Sequence, residues 1–259
     1  MNLKLENKTA LVTGSTKGIG FAIAKFLAAE GAQVIVNGRS EASTREAVQK
    51  LGGKAQGVAA DVSTAEGCAE LVKKAPTVDI LVNNAGIFEP KPFAEIPDAD
   101  WDRFYQVNVM SGVRLTRAYL PGMLRHNWGR VIFISSESGV QIPEEMVHYG
   151  MTKSAQLALV NGIAQLTKGT GVTVNGVLPG PTASEGVADF VGALATGAKL
   201  TPEQFEKEFF RTVRSSSLLQ RFASVDEVAS MVAYLCSPLA SATNGAAVRV
   251  DGGVVRGTV

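Results

Sequence analysis

Along this chain, short runs of aliphatic and β-branched residues alternate with longer stretches whose apolar positions recur at helical spacing. The runs are Ala10-Leu11-Val12, Val34-Ile35-Val36, Val58-Ala59-Ala60, Ile80-Leu81-Val82, Val131-Ile132-Phe133-Ile134, Val172-Thr173-Val174 with Val177-Leu178, and Ala247-Val248-Arg249-Val250. They predict seven strands. Helices are predicted near 18–30, 41–51, 63–75, 98–124, 147–168 and 224–236. Strand and helix in strict alternation describe βαβ units, so the expected fold is α/β: a Rossmann-type doubly wound, mostly parallel seven-stranded sheet with helices on both faces. No linker or repeat interrupts the pattern, and residues 1–259 are expected to form one dinucleotide-binding domain. The long gap between Pro179 and Ser224 is the exception, and a lid over about 183–217 is expected there. Within it Thr201 can cap a helix, Pro202 suits its first position, and Phe205, Phe209 and Val213 fall on one face.

The unusual residues gather at the carboxyl ends of predicted strands, the edge where open α/β sheets bind ligands. Gly14 follows the first strand, Asn83 the fourth, Ser136 the fifth and Pro179 the sixth. The first of these turns, Thr13-Gly14-Ser15-Thr16-Lys17-Gly18-Ile19-Gly20, joins strand to helix with spacing Gly-x3-Gly-x-Gly. Such a loop lets backbone approach a pyrophosphate at a helix N-terminus, where N–H groups and the helix dipole favour anions. After the second strand, Asn37-Gly38-Arg39-Ser40 lacks the acid that would grip the ribose 2′-hydroxyl of NAD, about 20 residues after such a loop. Arg39 offers a planar fork for a 2′-phosphate and Lys17 a second positive charge, so NADP(H) is expected over NAD(H). Asp61-Val62, after the third strand, could meet the adenine through carboxylate and backbone; alternatively Asp61 caps a helix.

Composition narrows the partners. The 259 residues are 46% hydrophobic, 19% charged and 7% aromatic, with 27 Gly, which excludes a disordered or fibrous chain. Net charge is +1, so there is no bulk field for nucleic acid or anionic lipid. Cys68 and Cys236 form no disulfide framework and no metal-ligand spacing, and no stretch reaches the roughly 18 apolar residues of a membrane span. A cytoplasmic protein without metal is expected.

The ordered motifs Thr13-Gly14-x3-Gly18-Ile19-Gly20, Asn83-Asn84-Ala85-Gly86, Asn108 in Val107-Asn108-Val109, Ser136 in Ile134-Ser135-Ser136, Tyr149-x3-Lys153, Asn175 with Pro179-Gly180, and Val250-Asp251-Gly252-Gly253 span practically the whole chain. Together they resemble the short-chain dehydrogenase/reductase family of the classical type. The resemblance implies nicotinamide-dependent oxidoreduction and a homotetramer built through the helices near 98–124 and 147–168. It also implies cofactor contacts from Gly14, Thr16, Lys17, Gly18, Ile19, Gly20, Arg39, Ser40, Asp61, Val62, Asn83, Ala85, Gly86, Pro179, Gly180, Thr182 and Ser184. The last two hydroxyls are alternatives for the nicotinamide carboxamide. Ser136 is preferred to Ser135 because it lies thirteen residues before Tyr149, the family's usual spacing.

Tyr149 and Lys153, four apart on a predicted helix, share one face. A phenol near its ordinary pKa of about 10 exchanges protons poorly at neutral pH; a neighbouring ammonium and an oxidised nicotinamide would both favour phenolate and are expected to lower it. Ser136 would hydrogen-bond the same substrate oxygen. By resemblance, Lys153 and Tyr149 also bind the nicotinamide ribose, and Asn108 distorts its helix and fixes a water linking Lys153 to solvent. Alone, each residue has a plainer account as packing or capping, and His148, next to Tyr149, points elsewhere on the helix. Asn84 and Asn175 read as structural ties.

Glu137, Gln141, Glu144, Glu145 and the lid flank these residues and are expected to face the substrate, a partly hydrophobic ketone or secondary alcohol. A second reading is 3-oxoacyl-acyl-carrier-protein reductase, for which Lys168, Arg125 and Arg130 are the candidate carrier-docking cations. A third is an idle cofactor-sensing or scaffold protein, against which the presence of Ser136, Tyr149 and Lys153 argues.

Overall fold

The computed structural model describes residues 2–184 and 200–257. Strand and helix alternate as β1 (Thr9–Val12), α1 (Gly18–Ala29), β2 (Gln33–Gly38), α2 (Glu41–Leu51), β3 (Gln56–Ala59), α3 (Ala65–Lys74), β4 (Ile80–Asn83), α4 (Asp98–Tyr105), α5 (Ser111–Arg125), β5 (Gly129–Ile134), α6 (Val147–Gln165) and β6 (Val172–Pro179). A short β7 (Thr182–Ala183), α7 (Pro202–Thr212), β8 (Ala223–Ser224), α8 (Val225–Cys236) and β9 (Ala247–Val250) follow. Seven strands pair in parallel in the order β3-β2-β1-β4-β5-β6-β9, the doubly wound sheet expected from the alternation.

Successive strand residues point to opposite faces, and both faces are buried. Ala10, Val12, Ile80, Val82, Ile132 and Ile134 pack with α1 and α8. Leu11, Leu81, Val131 and Phe133 face the other way, onto Leu71 of α3, Leu115 and Tyr119 of α5, and Val160 of α6. Because β2 and β3 wind away from β1 on one side while β4, β5 and β6 wind away on the other, the chain reverses direction between β1 and β4. Neighbouring loops part there and leave a crevice.

The structure revises several details. The predicted helix 98–124 is two helices separated by a π-helical turn, Gln106–Met110, that contains Asn108. Thr64, not Asp61, caps α3, accepting from Gly67 N at 3.0 Å. Arg130 cannot dock a carrier, being 1% exposed and hydrogen-bonded to the carbonyls of Ser237, Gly129 and Gly171. An unforeseen two-stranded sheet pairs β7 with β8 and ties the end of β6 to the segment preceding α8. Residues 185–199 of the expected lid lie outside the described residues. Its C-terminal part contains α7 as expected, with a capping box between Thr201 and Gln204 and Pro202 in the first turn.

Candidate active site

The glycine turn after β1 is shaped by backbone geometry. Gly14 and Gly18 adopt φ of +61° and +58°, which side chains resist. A Cβ on Gly20 would stand 2.4 Å from Asn84 Nδ2 and 2.5 Å from the Gly14 carbonyl oxygen, so this turn closes only around glycine. Lys17, at the N-cap of α1, provides no side-chain cap, and the first turn holds no acid. The helix start is therefore a cradle for an anion, and a dinucleotide pyrophosphate fits it by size and sign.

A buried polar network fixes that cradle. Asn37 Nδ2 donates to the carbonyls of Val58 and Ala60 at 3.1 Å each, and its backbone N donates to Ser15 Oγ at 3.1 Å. Asn84 Nδ2 donates to the carbonyls of Thr13 and Gly14 at 2.9 and 3.1 Å. Lys17 and Arg39 are both exposed; Lys17 lines the cavity, whereas Arg39, Ser40, Asp61 and Val62 do not. Ser40 caps α2 through its hydroxyl. Thr16 packs against Gly38. Asp61 is exposed, and its carboxylate accepts from Ser63 N at 3.0 Å; Val62 is buried. Asn83 turns inward, donating to Thr116 Oγ1 at 3.2 Å.

From this turn a cavity of about 1000 Å³ runs beneath α7. Lys17, Ile19, Gly20 and Gly86 line one end; Ser136, Tyr149, Lys153, Pro179, Gly180, Thr182 and Ser184 continue it. Gly18 faces Ser184, whose Cβ lies 3.4 Å from where a Cβ of Gly18 would stand. Thr182 donates to the Gly180 carbonyl at 2.9 Å, whereas Ser184 is half-buried at the wall. Ala85 N donates to Thr13 Oγ1 at 3.0 Å, joining the ends of β4 and β1.

The two adjacent serines have separate jobs. Ser135 Oγ donates to the Lys153 carbonyl at 2.9 Å and locks α6 against β5. Ser136 lines the cavity together with Tyr149; its hydroxyl donates to the Glu137 carboxylate and accepts from Ser138 N at 3.1 Å. Lys153 Nζ donates to the Ile134 carbonyl at 2.8 Å and lies 5.5 Å from the Tyr149 ring centroid. Asn108 clamps Ile87, accepting from its N–H at 2.8 Å and donating to its carbonyl at 3.0 Å. Gly86 stands between Asn108 and Lys153: a Cβ there would be 3.4 Å from Asn108 Oδ1 and 3.6 Å from Lys153 Nζ.

Burial pushes Tyr149 above its ordinary value, and the Glu137 carboxylate raises it further; the nearby Ser136 hydroxyl and the charge of Arg214 offset only part. Burial pulls Lys153 down to about 7, so its ammonium is a weaker counter-charge than the spacing alone implied. His148 is fully buried against Phe104, and burial lowers its pKa.

A sequence profile for the family described as short chain dehydrogenase matches residues 8–192. The chain is a short-chain dehydrogenase/reductase. It is 51% identical over 263 residues to the uncharacterized oxidoreductase YvaG of Bacillus subtilis, covering 99% of both chains. It is 34% identical over 262 residues to the 3-oxoacyl-acyl-carrier-protein reductase FabG of Aquifex aeolicus, covering 98% of this chain and 100% of that one. The crystal structure of L-sorbose reductase from Gluconobacter frateurii, complexed with NADPH and L-sorbose, aligns with a TM-score of 0.93 at 30% identity, over 99% of this chain and 100% of that one. As a short-chain dehydrogenase/reductase, the protein is an oxidoreductase that binds NAD or NADP and acts on alcohol or carbonyl groups of small molecules.

One residue of the short-chain dehydrogenase/reductase cavity escaped the sequence reading. Arg214, just past α7, reaches Glu137 at 3.4 Å and Glu145 at 3.1 Å, with its side chain 10% exposed. Its only signal was a cation two acids could share, and neither partner is near it in sequence. Glu137, Gln141, Glu144, Glu145, Phe205, Phe209 and Val213 also line the cavity. Among the described residues no group of His, Cys, Asp and Glu could hold a metal, and no helix is long and apolar enough to cross a membrane.

Proposed function

We propose that this protein interconverts a ketone and a secondary alcohol with NADP(H), Tyr149 exchanging the proton. The observation that carries the reading is the convergence of Ser136, Tyr149 and Lys153 in one cavity that continues into the glycine cradle. When bound, the nicotinamide gives or takes the hydride. Tyr149 is held as the phenol by its burial, which is the form that gives a proton to a carbonyl oxygen during reduction. Ser136 orients that oxygen and stabilises its developing charge. Lys153, with its amine lowered to about 7, can pass protons near neutral pH, and Asn108 positions the path between it and solvent.

Gly14, Thr16, Gly18, Ile19 and Gly20 shape the pyrophosphate cradle, and Arg39 and Lys17 read the 2′-phosphate. Ser40, Asp61, Val62, Asn83, Ala85, Gly86, Pro179, Gly180, Thr182 and Ser184 complete the proposed cofactor site. The exposed apolar groove of Tyr105, Val109, Ala158, Leu159 and Ile163 on the α4 to α6 side supports assembly as a homotetramer. The test is NADPH oxidation against a panel of ketones. Tyr149→Phe is expected to lower kcat by about 10²–10⁴-fold while NADPH still binds. Retained activity in that variant would remove the proton role, and binding without turnover on every ketone would leave a cofactor sensor.

A further inference from the structure

A carboxylate is an odd neighbour for a group that must stabilise a developing oxyanion. Glu137 directly follows Ser136, its side chain is 6% exposed, and it accepts a hydrogen bond from the Ser136 hydroxyl. It also raises Tyr149 through its charge. A buried carboxylate costs free energy unless it is paired and hydrogen-bonded, so one held at a reaction site is a candidate for recognising a ligand. Arg214 does not remove the charge from the pocket, because one guanidinium serves two acids, Glu137 and Glu145. That end of the cavity stays rich in hydrogen-bond acceptors, with Gln141 and Glu144 also on its wall.

We infer that Glu137, held by Arg214, is a specificity-determining residue that accepts a hydrogen bond from a hydroxyl on the carbon next to the reacting carbonyl, so that the substrate is a neutral α-hydroxy ketone. The inference rests on the proposed ketone reductase reading and deepens it. Geometry is the ground. Ser136 Oγ donates to the Glu137 carboxylate and lines the same cavity as Tyr149, so a carbonyl oxygen seated between the serine and the phenol places an oxygen on the adjacent carbon beside the Glu137 carboxylate. Oxygens on adjacent carbons stand about one hydrogen-bond length apart, which matches two acceptor and donor groups joined by one hydroxyl. A keto acid is disfavoured there, because its carboxylate would face two acids and a single shared cation.

Three ketones of equal carbon number separate the alternatives: erythrulose, which is neutral and hydroxylated on both sides of its carbonyl; 2-butanone, without hydroxyls; and acetoacetate, an anion. The wild-type enzyme is expected to favour erythrulose in kcat/KM by on the order of 10² or more over both, the discrimination available to a site built to bond a hydroxyl. Glu137→Gln keeps shape and loses charge, and is expected to shrink the erythrulose to 2-butanone ratio at least tenfold, mainly through KM. Arg214→Leu is expected to shrink it too. NADPH binding confirms that each variant is folded, and Glu137→Asp serves as the rescue. Equal wild-type rates on erythrulose and 2-butanone, or a ratio unchanged in Glu137→Gln, would overturn the inference and leave the reductase reading standing. No turnover on any of the three together with NADPH binding would overturn both.

Discussion

The two ends of the cavity are walled by different means. At the glycine turn after β1 the wall is main chain: positive φ at Gly14 and Gly18, no room for a Cβ at Gly20, and Asn37 and Asn84 bonded to carbonyl oxygens that fix the loop. At the α6 and α7 end the wall is side chains, several ionisable, buried and shifted from their ordinary behaviour: Tyr149 up, Lys153 down to about 7. A backbone wall suits a ligand every relative shares. A side-chain wall can be re-cut one substitution at a time, which suits a substrate that differs between relatives.

The contrast can be broken first at Gly20. Gly20→Ala forces a methyl within 2.4 Å of Asn84 Nδ2, and overpacking of this kind costs about 1–3 kcal/mol. NADPH affinity is expected to fall on the order of 100-fold, as measured by fluorescence titration; unchanged affinity would show that the cradle is not backbone-limited. Next, Arg39→Asp is expected to move the NADPH to NADH ratio of kcat/KM by about 10–100-fold toward NADH, the worth of one charge-assisted contact. A static ratio would return the phosphate to Lys17 alone.

A third test concerns the buried amine. Burial lowers Lys153 from 10.5 to about 7, with the Glu137 charge opposing only in part. Between those values the unfolded chain binds the proton and the folded chain does not. The penalty is therefore full below pH 7, and stability gains up to about 1.4 kcal/mol per pH unit as pH climbs above it. Wild type minus Lys153→Met, compared by thermal melting without cofactor at pH 7 and pH 9, should show this rise; parallel curves would place the amine in water. The smallest effect is expected at the lid. Thr201→Ala removes the cap of α7, worth about 1 kcal/mol, and should speed amide exchange over residues 202–212 without altering NADPH affinity.

Much of this molecule was legible in the chain because its recognition devices are local. The strands show as runs, the turns as glycines, and Tyr149 and Lys153 as an i, i+4 pair on one helix. The hydrophobic face of α7 was equally plain: Phe205 and Phe209 stack at 6.2 Å and both line the cavity. The unreadable features are those that need distant contact or burial. Arg214 meets Glu137 across 77 residues, and the shift of Tyr149 depends on desolvation, which no spacing encodes. Arg130 looked like a surface cation because it sits at the start of a strand; only packing reveals that three carbonyls satisfy it. The split between Ser135 and Ser136 arises from the extended backbone that continues past β5, where successive side chains point to opposite sides.

The π-helical turn between α4 and α5 amounts to one surplus residue wedged into an otherwise continuous spiral. Deleting a single position between Gln106 and Met110 would let the spiral close into regular turns, with α4 and α5 running on as one helix and the bulge that holds Asn108 gone. Asn108 would then lose its two-bond grip on Ile87, and Gly86 its fixed place beside Lys153. A helix that would be more regular, and as a helix more stable, would leave the protein with an intact sheet and a misaligned reaction chamber.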